Sequence, residues 1–150
     1  MAHFTSVTGV VVEGHGVASG RSKTSPYKGG SLAIQRPYFE ERGIPLSNYF
    51  LGTINVDISP MAMELIAWDH EARQIQWTQL IPPEDFYFSD CQIRLLGSQV
   101  DALIYHPSPA TKVENFHNPS IVEILAPKLE ALAVGDEIEL LLNPAHCSLT

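Results

Sequence analysis

Apolar positions along this chain recur in short runs, many alternating with polar ones, and the runs are separated by glycine, proline and small polar residues. A period of two puts successive side chains on opposite faces of a strand, so the pattern predicts β-structure with little helix. Strands are expected near 4–13, 50–58, 62–69, 73–81, 86–96, 99–106, 120–126 and 136–142, with hairpin turns at Asp69-His70-Glu71 and Leu96-Gly97-Ser98. One short helix is expected over Arg36–Arg42, with Pro37 near its start and Gly43 and Pro45 ending it. A second is expected through Lys128–Leu132, between Pro127 and the Val134-Gly135-Asp136 turn. Antiparallel strands of this number and length favour closure into a barrel, because closure removes unpaired edges.

The 150 residues suit one domain, 1–150, and 45% apolar with 17% charged residues is the balance of a globular protein. Seventeen acidic residues against nine Lys plus Arg give a formal net charge of −8, which argues against nucleic acid as a partner. The opening residues MAHFTSVTG have no charged start followed by a long apolar core, and no later run reaches membrane-span length. A cytoplasmic protein without a membrane partner is therefore expected. Cys91 and Cys147 lie far apart and form no C-x-x-C pair, so a zinc ribbon or a redox dithiol is not expected.

One stretch changes this picture. Directly after the first strand comes GHGVASGRSKTSPYKGG, residues 14–30, with glycines at 14, 16, 20, 29 and 30 and hydroxyls at Ser19, Ser22, Thr24 and Ser25. Glycines let backbone N–H groups turn inward, and Arg21, Lys23 and Lys28 add cationic charge, which together describe an anion cradle. Five of the nine cations (Arg21, Lys23, Lys28, Arg36, Arg42) fall between 21 and 42, so the positive charge is local. The competing reading is a plain surface loop, since neither a P-loop nor a dinucleotide fingerprint is present. Further on, Thr53, Asn55 and Asp57 share one strand face and could present three oxygens to a hard cation such as magnesium. Equally, they could form the solvent face of a half-buried strand. The six histidines show no metal-ligand spacing and there is no G-x-S-x-G elbow, so acyl transfer is unsupported.

The early strand running into a Gly-rich loop, then Gly52-Thr53-Ile54-Asn55, then Ile121-Val122-Glu123-Ile124-Leu125-Ala126-Pro127 and Gly135-Asp136-Glu137-Ile138, resembles in kind and order the archaeal CTP-dependent riboflavin kinases. The resemblance implies an all-β fold, a closed six-stranded cradle-loop barrel with extra hairpin strands and one or two short helices. It implies phosphorylation of riboflavin, or a related small molecule, by CTP with magnesium as cofactor. Gly14, His15, Gly16, Val17, Ala18, Ser19 and Gly20, with Arg21 and Lys23, would then lie along the nucleotide phosphates. Leu125, Ala126 and Pro127 would lie against the base through their backbone, and Thr53 and Asn55 would hold the metal. At the positions where the family contacts the flavin with a threonine and an acidic residue, this chain offers Asn115 and Ser120. No catalytic residue is assigned; Asp57, Glu114 and Glu123 are the candidate bases. Two other readings stay open: a non-catalytic nucleotide- or anion-binding barrel that has lost the flavin site, and a structural or interaction protein.

Overall fold

The computed structural model describes residues 4–12, 31–50, 52–108, 119–127, 129 and 132–150. In chain order they form β1 (Thr5–Val12), α1 (Ser31–Glu41), β2 (Ile54–Asp57), β3 (Met63–Leu65), β4 (His70–Ile75), β5 (Glu84–Leu95), β6 (Ser98–Pro107), β7 (Ile121–Leu125), β8 (Glu137–Leu142) and β9 (Cys147–Leu149). The architecture is mostly β with one short helix, as the alternating pattern requires. All strand pairings are antiparallel.

The main sheet runs β4-β5-β6-β7-β2-β1-β8, and β8 pairs back onto β5. Gln92, Ile93 and Arg94 of β5 face Leu141, Leu140 and Glu139 of β8, so the pairings return on themselves as a six-strand ring with β4 outside it. β3 and β9 form a separate two-stranded ribbon. Alternation then builds two cores. Val7 and Val11, Val56, Cys91 and Ile93, Ala102 and Ile104, Val122 and Ile124, and Ile138, Leu140 and Leu142 join in one cluster to which every ring strand contributes. The opposite faces of β5, β6 and β7 present Phe86, Phe88, Leu103, Tyr105 and Leu125 to Leu32 and Phe39 of α1. Phe39, fully buried, meets Phe86 and Phe88 edge-on at centroid distances of 4.9 and 5.1 Å.

The helix ends where glycine permits. Gly43, at φ 80°, donates to Glu40 O, and Ile44 N–H donates to Phe39 O, the paired bonds of a Schellman cap. It begins five residues before the expected start, and Pro37 sits inside it, where it has no N–H to offer the carbonyl of Ala33 four residues earlier. The expected turn at Leu96-Gly97 is present: both residues have positive φ and Leu95 pairs with Ser98, a two-residue hairpin of the primed kind.

Three expectations are corrected. The fourth strand covers 70–75 and not 73–81, because a bulge between Ala72 and Ile75, with Gln74 at φ 54°, ends the ladder early. Asp69-His70-Glu71 is therefore no hairpin turn; β3 pairs with β9, not with β4. At the second expected helix, Leu129 and Leu132 are not helical, although Leu132 N–H donates to Leu129 O. Residues 128, 130 and 131 lie outside the described residues.

Candidate functional site

β2 lies between β1 and β7, in a register that aligns Val12, Asn55 and Glu123 across three strands. Ile54 and Val56 turn toward the ring's core, so Thr53 and Asn55 take the other face, where α1 packs farther along. Thr53 Oγ1 donates to Glu123 Oε1 at 3.5 Å. Asn55 is 8% exposed, and its Oδ1 is buried with no hydrogen-bond partner. A buried amide oxygen left unpaired costs free energy, so this acceptor calls for a partner that the surrounding side chains do not supply, a water or a ligand. With Thr53 Oγ1 and the Glu123 carboxylate beside it, the donor set is all oxygen and carries one negative charge, which fits a magnesium-sized hard cation.

Asp57, third on that strand face, is committed elsewhere. Its Oδ1 accepts from Ser59 Oγ at 2.6 Å and from Ser59 N–H at 2.9 Å, and these bonds, the side-chain one first, hold its carboxyl below the usual range. Glu123 is thus the one candidate base among the described residues that stands beside Thr53 and Asn55; Glu114 lies outside them.

A buried polar pair adjoins this face. Tyr105 on β6 donates its hydroxyl to Gln35 Oε1 of α1 at 2.8 Å, with the two residues only 5% and 2% exposed. Burial pushes the Tyr105 phenol well up, and the charges of Glu123 and Glu84 push it further. Neither residue figures in the sequence expectations. One signal was available: Gln35 interrupts the apolar helical stripe Leu32, Gln35, Phe39.

Of the other expected site residues, Gly14–Gly20, Arg21, Lys23 and Asn115 lie outside the described residues. The stretch containing the first nine leaves β1 after Val12, opposite Asn55, and the chain is described again from Ser31 at the start of α1. Leu125 is a core side chain of the second cluster, and the Ala126 carbonyl accepts Phe50 N–H at 3.0 Å, which draws Phe50, half-exposed, toward the end of β7. Pro127 follows, partly exposed. Ser120 is at the other end of β7, where its carbonyl accepts Ile58 N–H. It lies three positions before Glu123, about 10 Å along the strand. The structure therefore brings together Thr53, Asn55, Glu123 and the 125–127 segment, but not Ser120.

Other constellations carry less chemistry. Ser89 Oγ, fully buried, and Asp69 Oδ2 lie 2.9 and 3.6 Å from the same His146 Nδ1. A nucleophile relay needs the two partners on different ring nitrogens, so this trio is structural. Burial pushes the Cys91 thiol far up and that of Cys147 up to about 11, so neither is a nucleophile at neutral pH. Among the described residues no group of three or more His, Cys, Asp or Glu is placed to hold a metal, and no helix is long and apolar enough to cross a membrane. No family model matches the chain, and no curated protein sequence is significantly similar to it.

Proposed function

We propose that this chain is a phosphotransferase of the riboflavin kinase kind, a cradle-loop barrel that uses CTP and magnesium to phosphorylate riboflavin or a related small molecule. The observation that carries the reading is the orphaned Oδ1 of buried Asn55, flanked by Thr53 and Glu123 on one strand face. Two further facts support it. The glycine- and cation-rich stretch begins just past Val12, the register partner of Asn55, and the 125–127 segment runs beside the entry to β2.

In this reading Thr53, Asn55 and Glu123 hold the metal, which when bound would neutralise phosphate charge. Phosphoryl transfer asks the protein mainly for positioning and charge neutralisation, so a site of oxygen donors beside a cationic stretch is chemically sufficient. The test is FMN formation from riboflavin by the purified chain. It should require both CTP and magnesium and fall at least about tenfold in Thr53→Ala and Asn55→Ala, each of which removes one oxygen donor. No FMN under any nucleotide would end the kinase reading.

The position of Ser120 favours a second reading: a barrel that binds a nucleotide or other anion without turnover and has no flavin site. CTP with magnesium would then raise the melting temperature while riboflavin did not, and no FMN would form.

A further inference from the structure

Two buried side-chain atoms among the described residues lack a hydrogen-bond partner: the acceptor Asn55 Oδ1 and a donor, Arg36 Nε. The first belongs to the cation position above. The second is unexplained by the packing. Arg36 Nε lies 3.4 Å from Glu40 Oε2, within ion-pair range but without hydrogen-bond alignment, and its Nη2 donates to Ser47 O at 3.4 Å, the long limit for such a bond. The three other described arginines are better held: Arg42 donates to Tyr38 O at 2.8 Å, Arg73 to Glu71 at 2.6 Å and Arg94 to Glu139 at 2.7 Å. Arg36 alone among them makes no interaction shorter than 3.4 Å.

Its neighbours along the chain and across the helix lead toward the oxygen site. The preceding residue, Gln35, is bonded to Tyr105, whose phenol lies in the field of Glu123. Ser47, which Arg36 touches, opens the stretch that reaches Ala126 through Phe50 and then Thr53. From Tyr105 across β7 to β2 is two strand spacings, roughly 10 Å. An Arg–Glu pair four residues apart on a helix accounts for the neighbourhood of Glu40, but in this order, with the cation nearer the N-terminus, it is the weaker arrangement.

We propose that Arg36 is an oxyanion-binding residue, its guanidinium receiving a phosphate group of a ligand whose cation-bound part rests on Thr53, Asn55 and Glu123. The inference rests on the preceding reading for that cation site. A phosphate supplies what Glu40 and Ser47 do not: acceptors spaced to meet the fork two at a time. Both existing interactions are long, so re-aiming the guanidinium sacrifices little.

The experiment measures binding of magnesium tripolyphosphate and of magnesium CTP to the full chain by calorimetry and thermal shift, in wild type, Arg36→Gln, Arg36→Lys and Arg42→Gln. Removing a charge-assisted interaction should weaken both ligands by roughly ten- to a hundredfold in Arg36→Gln. Arg36→Lys should fall between, because it keeps the charge and loses the fork. Arg42→Gln should bind like wild type. Should Arg36→Gln fail to fold, Arg36→Lys against wild type decides. The assignment is overturned if the Arg36 variants bind like wild type, if Arg42→Gln loses as much, or if neither oxyanion binds wild type. Binding of tripolyphosphate but not CTP, weakened at Arg36, would uphold the assignment and sink the nucleotide reading. Binding of both, unweakened, would do the reverse.

Discussion

Tyr105 donates a hydrogen bond from its phenolic hydroxyl to Oε1 of Gln35 at 2.8 Å, beside an apolar cluster that includes Leu32, Phe39, Phe86, Phe88 and Leu103. A polar pair in such a place is self-sufficient only while both members remain. Tyr105→Phe strands the Gln35 carbonyl oxygen, and the expected loss is about 1–3 kcal/mol of unfolding free energy, measured by urea denaturation. Replacing both, as Gln35→Leu with Tyr105→Phe, removes donor and acceptor together and should cost clearly less than the single change. Equal or greater loss in the double variant would mean that the pair contributes more than its mutual satisfaction.

Two neighbouring strands of the six-strand ring, β1 and β2, approach closely at one point. A Cβ on Gly9 of β1 would lie 2.5 Å from Val56 Cγ1, 2.9 Å from the Asp57 carbonyl oxygen and 3.2 Å from Ile58 Cγ2. Val56 is fully buried and the carbonyl belongs to the strand itself, so neither can yield cheaply. Gly9→Ala should destabilise by about 1–3 kcal/mol, the usual cost of overpacking. Adding Val56→Ala should recover part of that loss, and strict additivity of the two changes in denaturation midpoints would refute the steric account.

The sequence carried this fold in its alternation and hid it where alternation is short or broken. β1, β5, β6, β7 and β8 are long enough, or apolar enough, to declare themselves. β9 has three residues, too few for a period of two to be read, and β4 ends at a bulge that no composition rule locates. The start of α1 was obscured by Pro37, which normally marks a first turn and here lies in the seventh position. At the site, Thr53 and Asn55 were legible because spacing alone sets their shared face. The approach of Glu123 was not, since it depends on how β2 registers against β7 some seventy residues later.

Asp90 provides a pH test. Burial and the neighbouring charge of Asp69 raise its carboxyl pKa, with a further push from Asp101, while His70 and His146 pull the other way. His70 Nε2 lies 3.7 Å from Asp90 Oδ1. A raised native pKa means that the folded chain binds this proton more tightly than the unfolded one. The contribution is complete below the unfolded value, near pH 4, and is lost as pH rises through the native value. Asp90→Asn should therefore be more stable than wild type at pH 7, with the difference shrinking to nothing below about pH 4. A melting-temperature series from pH 3 to 8 showing the opposite trend would assign the dominant role to the His70 pair.

The orphaned oxygen of Asn55 can be made to report on its own purpose. Leucine has the branching of asparagine, so Asn55→Leu exchanges an unpaired buried acceptor for apolar surface while adding two methyl-sized ends in place of the amide. Relief of that desolvation should stabilise the ligand-free chain by about 1 kcal/mol or more. For a chain of this size that amounts to roughly 2–4 °C in melting temperature per kcal/mol. On the proposed function the same change also removes a cation ligand, so the rise in melting temperature expected for wild type with magnesium and CTP should disappear, as it should in Thr53→Val. A stability gained at the expense of binding is what a site kept for a ligand predicts. If Asn55→Leu instead lowers the melting temperature and leaves the magnesium-dependent rise intact, Asn55 is a structural residue and the cation lies elsewhere.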